Sequence, residues 1–82
     1  MTKTFKVTFN IIFTSGFEKI ISSVSEIEDD MVDEIKKYYE EFKTFIANAY
    51  KENMTGSITI GEAIVRIEDT SLIEITLEKI KD

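Results

Sequence analysis

The sequence contains no cysteine and no histidine among its 82 residues. Without cysteine, neither a disulfide framework nor a thiolate zinc site can form. Without histidine, the chain lacks the commonest general base, the commonest transition-metal ligand and the side chain that titrates near neutral pH. These two absences exclude whole classes of catalytic and metal-binding sites.

Long apolar runs are absent as well. No segment approaches the roughly 18 apolar residues that a membrane-spanning helix needs. The first ten residues, MTKTFKVTFN, alternate apolar and polar side chains, which is not the pattern of a signal peptide. We therefore expect a cytoplasmic protein without membrane contact, and a chain of this length predicts a single domain, 1–82.

Acidic residues outnumber basic ones by 16 to 10, so the formal net charge is −6. A surface of this sign repels the phosphates of nucleic acids, which argues against direct binding to DNA or RNA. The simplest interpretation is a charge that keeps a small domain soluble. The alternative is a surface that meets a basic partner.

Residues 4–13, TFKVTFNIIF, alternate apolar and polar side chains with the period of two that indicates a β-strand. A turn at Gly16 follows. Residues 17–27 then fit two alternatives, because their apolar spacing is also compatible with a helix that continues to about residue 53. The side chains of this strand that we predict to face the core are Phe5, Val7, Phe9, Ile11 and Phe13.

We favour a second strand for residues 17–27. The segment SSVS is unfavourable inside a helix, since hydroxyl side chains compete there for local backbone hydrogen bonds. The resulting hairpin, over about 4–27, is expected to pair Phe13 with Glu18 and Val7 with Val24.

A helix is expected from about residue 29 to residue 53. Its apolar side chains recur at spacings of three and four, which predicts a wide apolar stripe against the sheet. Gly56 lies just beyond the last turn, where glycine commonly ends a helix. The stripe consists of Met31, Ile35, Tyr38, Phe42, Phe45 and Ala49, flanked by Val32, Tyr39 and Ile46.

Residues 57–80 return to alternating patterns, with a change of parity at Gly61 and Glu62. A tight two-residue turn or a bulge explains that change. We expect this segment to form a β-meander of two or three strands. The sequence therefore predicts an α+β fold, ββαββ or ββαβββ, with one long helix on one face of an antiparallel sheet of four to five strands.

Six carboxylates lie within nine consecutive residues of the segment SEIEDDMVDE. Part of this set fits helix capping, because Ser25 with Glu28, or Asp30 with Asp33, resembles a capping pair. One acid at a helix start contributes only about 0.3–1 kcal/mol, so capping explains two or three of the six. We call the whole set the acidic cluster: Glu26, Glu28, Asp29, Asp30, Asp33 and Glu34.

The acidic cluster has two further interpretations. A calcium loop needs a glycine at its sharp turn, alternating oxygen ligands and a distal glutamate, and EIEDDMVDEIKK lacks all three. If the cluster lies along a helix, its charges are about 2.3 Å apart, close to the ~1.7 Å spacing along duplex DNA. The more specific hypothesis is that the acidic cluster imitates the charge of DNA and binds a nucleic-acid-binding protein.

No spacing singles out a catalytic residue. The three glycines are isolated, so there is no phosphate-binding loop, and no serine lies in a nucleophile-elbow pattern. We expect no enzymatic activity, no cofactor and no metal ion. Of the two adjacent tyrosines, we expect Tyr38 to pack inward and Tyr39 to lie at the rim, where it is a candidate contact for a partner.

Several apolar side chains fall on the strand parity opposite to the predicted core. Grouped on the far face of the sheet, they would form an interface for a second copy or another partner. In this alternative, a structural or assembly protein, we expect Ile12, Ile64 and Leu72 to carry the contact. The full set is Ile12, Ile21, Ile64, Leu72 and Ile80.

The hairpin FNIIFTSGFEKIISS and the C-terminal segment GSITIGEAIVRIEDTSLIEITLE belong to a short chain rich in lysine, isoleucine and glutamate. In architecture and composition it resembles small proteins encoded by phages and other mobile elements of low-GC bacteria. Many such proteins are anti-defence inhibitors, including anti-CRISPR proteins, and the resemblance implies the same role here. The expected function is a non-enzymatic inhibitor whose acidic cluster, with Tyr39, occupies a basic site on a protein.

Overall fold

A computed structural model describes residues 1–81, so Asp82, at the end of the predicted domain, lies outside the described residues. The chain forms five strands and one long helix in the order ββαβββ, which confirms the predicted α+β class. Short 3₁₀ turns at Asp29–Met31 and Ile67–Asp69 precede the helix and the last strand. The elements are β1 (Thr2–Phe13), β2 (Glu18–Glu28), α1 (Val32–Lys51), β3 (Ser57–Ile60), β4 (Ala63–Arg66) and β5 (Thr70–Lys81).

The five strands form two antiparallel sheets. β1 is the central strand of the larger sheet, whose order is β2-β1-β5, and β3 pairs with β4 in the smaller one. The predicted C-terminal meander is therefore wrong, since β5 leaves β4 and returns to β1. Length explains the difference, because β5 matches the 12 residues of β1, whereas β3 and β4 have 4 each.

The hairpin of β1 and β2 is confirmed, but its register differs by one residue from the predicted pairing of Phe13 with Glu18. The Phe13 N–H donates to the Phe17 carbonyl across 2.8 Å. Gly16, with a φ of 91°, takes the left-handed position that ends a three-residue turn. Glu18 consequently pairs with Ile12.

A shift of one residue exchanges the two faces of β2. Val7 pairs with Ser23 rather than with Val24, the predicted partner. Ile21 packs against the core, which corrects its predicted place on the far face. Ile20 and Val24 lie on the outer face instead and are 61% and 59% exposed.

The core lies between the inner face of the larger sheet, the helix and the β3–β4 hairpin. Ile11 of β1 is completely buried and packs with Ile46 of α1, Ile60 and Val65 of the hairpin, and Ile73 of β5. Odd-numbered side chains of β1 face this core, as the alternation predicts.

Half of the predicted apolar stripe of α1 faces inward, at Ile35, Phe42 and Ala49, whereas the other half is replaced by neighbouring residues. Tyr38 and Phe45 are 61% and 44% exposed, while Tyr39 and Ile46 take the inward positions. Neighbouring residues on a helix differ by about 100° in direction. A sequence with apolar residues at both members of each pair therefore fits two orientations, and packing on the sheet selects one.

The prediction that Gly56 ends the helix is wrong, because α1 ends earlier, at Lys51. Asn53 takes the left-handed conformation, with a φ of 52°, and asparagine tolerates it better than most residues. The Asn53 N–H donates to the Tyr50 carbonyl at 3.3 Å, and the Met54 N–H donates to the Ala49 carbonyl at 2.9 Å. This is the hydrogen-bond pattern of a Schellman motif.

The turn between β3 and β4 is the two-residue turn predicted at Gly61 and Glu62, because Ile60 pairs directly with Ala63. Gly61 has a φ of 61°, which the first central residue of such a turn requires. The change of parity in the sequence therefore marks this turn rather than a bulge.

The carboxylate of Glu68 joins the start of β3 to the end of β4. It accepts hydrogen bonds from the Gly56 N–H and from the Arg66 guanidinium, each 3.1 Å long. The Ile67 N–H donates to the Gly56 carbonyl at 2.8 Å. Hydrogen bonds from its own backbone and from Gly56, followed by the one from Arg66, hold the pKa of the Glu68 carboxyl below its ordinary 4.5.

Replacing Ile11 by alanine tests the location of the core. We expect Ile11→Ala to lower the free energy of unfolding by about 2–5 kcal/mol, because the deletion leaves a cavity in a closed site. The control, Ile64→Ala, removes a side chain that is 75% exposed, and its effect should stay within about 0.5 kcal/mol. Urea unfolding measures both, and equal losses would contradict the assignment of the core.

Replacing Glu68 by glutamine tests the carboxylate that joins β3 and β4. Because its folded pKa is lowered, the ionised group stabilises the fold above pH 4.5, and this contribution is lost as the pH falls through the folded pKa. We therefore expect the free energy of unfolding of Glu68→Gln to fall less steeply in acid than that of the original chain. Urea unfolding at a series of acidic pH values measures the slope. A Glu68→Gln profile parallel to the original would refute the role.

Candidate functional site

The acidic cluster lies at the corner where β2 passes into α1. All six side chains are exposed. The chain carries them through three elements in succession: Glu26 and Glu28 in β2, Asp29 and Asp30 in the 3₁₀ turn, and Asp33 and Glu34 in the first turn of α1. The structure thus brings the six predicted carboxylates together on one corner.

Helix capping does not account for the acidic cluster. Ser25 lies within β2, away from any helix start. In the described chain, neither Glu28, the N-cap of the 3₁₀ turn, nor Met31, the N-cap of α1, makes a side-chain capping hydrogen bond. The predicted capping pairs are therefore wrong, because the chain enters the helix through a 3₁₀ turn instead of a side-chain cap.

Two members of the acidic cluster form ion pairs with the start of the chain. The Glu28 carboxylate lies 3.8 Å from the Met1 ammonium group, and the Asp29 carboxylate lies 3.7 Å from the Lys3 amine. Such exposed pairs are weak in water. Within residues 1–81 the other four members form no ion pair: Glu26, Asp30, Asp33 and Glu34.

The acidic cluster does not run along one helix, so the predicted charge spacing is wrong. Glu26 and Glu28 lie in extended chain, which rises about 3.3 Å per residue instead of about 1.5 Å. The chain then turns at Asp29–Met31 before the helix begins. The cluster spans three successive elements and is not a linear array along one helix.

Tyr39, the aromatic member of the predicted binding set, is half-buried beneath the helix. Its ring packs edge-to-face on Phe9, with centroids 6.3 Å apart, whereas Tyr38 is 61% exposed. The predicted orientation of the two tyrosines is therefore reversed. Burial, and to a smaller extent the neighbouring Tyr38, raises the pKa of the Tyr39 hydroxyl above its ordinary 10.0, so this group stays a hydrogen-bond donor at neutral pH.

Grooves follow both flanks of the helix. The flank toward β5 is charged: Lys36, Glu40 and Lys43 stand over Ile75 and Leu77 and line a groove of about 370 Å³. Two lysines and a glutamate at its rim place fixed charges of both signs along this edge of the larger sheet.

The flank toward β2 is aromatic. Tyr38 and Phe42 face Ser23 of β2 and Gly61 of the second turn across a groove of about 220 Å³. Phe45 continues this flank, with its ring centroid 6.5 Å from that of Phe42. Sequence analysis missed this surface because the periodicity assigns Tyr38 and Phe45 to the core, and only the orientation of the helix reveals it.

The apolar residues predicted for self-association are divided between two layers. Ile12 and Leu72 are direct partners across β1 and β5, on the outer face of the larger sheet. Ile64 lies on the outward side of the β3–β4 hairpin, which covers the inner face, and is 75% exposed. The structure brings Ile12 and Leu72 together and places Ile64 apart from them.

Residues 1–81 hold no group of three or more carboxylates placed to bind a metal ion. Among the same residues, no helix combines the length and apolar composition needed to cross a membrane.

Comparison of the chain with protein-family models, with curated proteins and with solved structures finds no match. The function is therefore argued from the residues themselves.

The raised pKa of Tyr39 gives a test of its burial. We expect its hydroxyl to titrate above pH 10.0, and Tyr38→Phe to lower that midpoint slightly by removing the smaller contribution. Since the folded pKa is raised, the associated stability is present below pH 10.0 and is lost as the pH rises through the folded value. NMR titration of ¹³C-labelled tyrosine, assigned with Tyr39→Phe, measures the midpoint, and a value at or below 10.0 would contradict the burial.

Proposed function

We propose that this protein is a non-enzymatic binding protein whose acidic cluster occupies a basic site on a protein partner. The observation that carries the proposal is the exposure of six neighbouring carboxylates, four of them without an ion pair within residues 1–81. Holding like charges together is unfavourable for the fold. Among the described residues no side-chain cap and no metal group offsets this cost. The helix dipole at Asp33 and Glu34 contributes only about 0.3–1 kcal/mol each, and the two exposed ion pairs are weak.

The position of the acidic cluster suits such contact. All six carboxylates are exposed where β2 passes into α1, so they are accessible to a partner. At physiological ionic strength their field extends about 8 Å, enough to steer a basic surface during approach. Charge complementarity of this kind raises the association rate and excludes acidic partners.

The partner that fits this surface is a protein with a basic patch, such as a nucleic-acid-binding groove. A net charge of −6 disfavours nucleic acid itself as the ligand. The resemblance to small phage and mobile-element proteins points in the same direction, toward an inhibitor that blocks a defence protein in the cytoplasm. Occupation of the groove would prevent nucleic acid from entering it, without any chemical step.

The test compares two variants of equal net charge. The first neutralises the four carboxylates without ion pairs, as E26Q/D30N/D33N/E34Q. The control neutralises four exposed carboxylates elsewhere, as E41Q/E52Q/E62Q/E74Q. Pull-downs from a bacterial lysate at low and high salt identify the partner, and calorimetry with the purified partner then measures affinity.

We expect the original chain and the control to bind, and the first variant to bind at least about tenfold more weakly, since close charge pairs across an interface contribute ~1.5 kcal/mol or more. High salt should release the partner. Retention of the partner by the first variant at full affinity would refute the proposal. It would move the interface to the outer face of the larger sheet, where Ile12 and Leu72 meet, or to the tyrosines; self-assembly, the rival function, is tested by the oligomeric state at high concentration.

A further inference from the structure

β2 is an edge strand of the larger sheet, and within residues 1–81 its outer side pairs with no other strand. Two hydrogen bonds at its ends show which backbone groups face outward. The Phe13 N–H donates to the Phe17 carbonyl, and the Asp29 N–H donates to the Met1 carbonyl. Both pairs join odd-numbered residues, and the register between them is continuous.

Antiparallel strands alternate between hydrogen-bonded and non-hydrogen-bonded pairs. The odd-numbered residues of β2 are therefore the ones bonded to β1. The even-numbered residues direct their N–H and C=O groups to the open side: Glu18, Ile20, Ser22, Val24, Glu26 and Glu28.

The middle of this edge, between Lys19 and Glu26, lacks the features that usually prevent strand addition, and its charged side chains lie only toward the two ends. β2 has 11 residues, contains no proline and shows no bulge in its pairing with β1. Two of its outward-bonding residues, Ile20 and Val24, are aliphatic and more than half exposed. A long, regular edge with exposed aliphatic side chains is a template for another strand.

The opposite edge, formed by β5, is better protected. Lys36 and Lys43 of the helix stand beside it, and a register shift interrupts its pairing with β1 near Lys79. Lysines and bulges are devices that discourage edge pairing. Of the two edges, β2 is the one open to addition.

We propose that β2 pairs antiparallel with β2 of a second copy of this chain, about a twofold axis at Ser22. The two larger sheets then form one continuous sheet, with both helices on the same side. A twofold arrangement uses each β2 edge once and leaves none free, so it closes as a dimer. This inference does not depend on the proposed function, since it rests on the backbone groups and aliphatic side chains of β2; the two surfaces share Glu26 at their border.

The side chains select this register. The backbone groups require even-numbered residues to lie opposite even-numbered ones, and with the axis at Ser22, Ile20 lies opposite Val24 of the second copy. An axis at Ser23 would place Ile20 opposite Glu26. An axis at Ile21 would place Ile20 opposite Ser22. An axis at Ile20 or at Val24 would join one aliphatic pair, whereas the axis at Ser22 joins two symmetric pairs and accepts Glu18 opposite Glu26 at each end.

The inner face of the same register is also complementary. Ile21 of the second copy lies opposite Ser23, which lines the aromatic groove with Tyr38 and Phe42. Because Ile21 packs against the core of its own copy, the register places the apolar edge of that core beside the open side of the groove.

The surface area of the chain agrees with a missing partner. The chain exposes 5790 Å² at a mass of 9.5 kDa, whereas a compact monomer of that mass exposes about 5,050 Å². The excess of roughly 700 Å² belongs to the whole elongated surface, and it leaves room for an interface of the standard ~800 Å² per partner. Its radius of gyration, 13.9 Å, also exceeds the ~12 Å of a compact domain of this length.

The first test uses analytical ultracentrifugation of the full chain from about 1 μM to about 1 mM. We expect a monomer–dimer equilibrium in this range. Two variants differ only at residue 20: I20E/V24E places like charges opposite each other across the axis, and I20K/V24E places opposite charges there. Both variants carry Val24→Glu. Any contact of this new glutamate with Lys6, which pairs with residue 24 in the same chain, is therefore the same in both.

We expect I20E/V24E to weaken the dimer roughly tenfold or more, and I20K/V24E to recover most of that loss. Circular dichroism should show both variants folded, because the replaced side chains are more than half exposed. A chain that stays monomeric at about 1 mM, or two variants that dimerise equally, would overturn the proposal.

A second test separates this interface from the acidic cluster. The register places Glu18 opposite Glu26 of the second copy, so Glu18→Lys should tighten the dimer several-fold, and added salt should tighten the dimer of the original chain. Added salt should instead weaken the binding of a basic partner to the acidic cluster. I20E/V24E keeps all six carboxylates of the cluster and should still bind that partner, so loss of one interaction leaves the other measurable. A Glu18→Lys dimer no tighter than the original would refute the register.

Discussion

The hydrogen bond from the Phe13 N–H to the Phe17 carbonyl sets the register of the first hairpin, and the rest of the larger sheet depends on that register. It closes a three-residue turn that only a residue tolerant of positive φ can end, and Gly16 fills that place. Odd-numbered residues of both strands then share the inner face. Ile21 reaches the core, while Val24 is directed to solvent, and the even-numbered backbone groups of β2 become the open edge.

The larger sheet is long for so small a chain. The molecule measures 42 × 22 × 17 Å, so one helix and one short hairpin must cover the inner face of strands of 11 and 12 residues. Within residues 1–81 no element covers the outer face. A fold of this shape offers extended surfaces and edges rather than an enclosed pocket, which suits a protein that acts by contact.

The two proposed surfaces lie on the same strand yet rely on different physics. The acidic cluster at the end of β2 acts through charge, which reaches several ångströms, tolerates imprecise geometry and is screened by salt. The middle of β2 offers backbone hydrogen bonds and two aliphatic side chains, which demand one register and a partner of matching strand geometry. The two surfaces meet at Glu26, while the other five carboxylates of the cluster lie beyond the residues paired in the proposed dimer.

Local patterns in the sequence determined the elements and the exposure of the acidic cluster. The alternation around Val7 gives β1 and its inner face, the three-to-four spacing gives α1, and Gly61 gives the second turn. These follow from sequence alone because strand and helix periods depend on neighbouring residues. The α+β class follows from their order.

Tertiary structure decided what those periods leave open. A period of two does not say which residues pair, so the turn at Gly16 decided whether Ile21 or Val24 faces inward. Adjacent apolar pairs such as Tyr38 and Tyr39 fit two helix orientations, and packing on the sheet chose between them. The return of β5 to β1, and the entry to α1 without a side-chain cap, depend on contacts between distant residues, which no local pattern records.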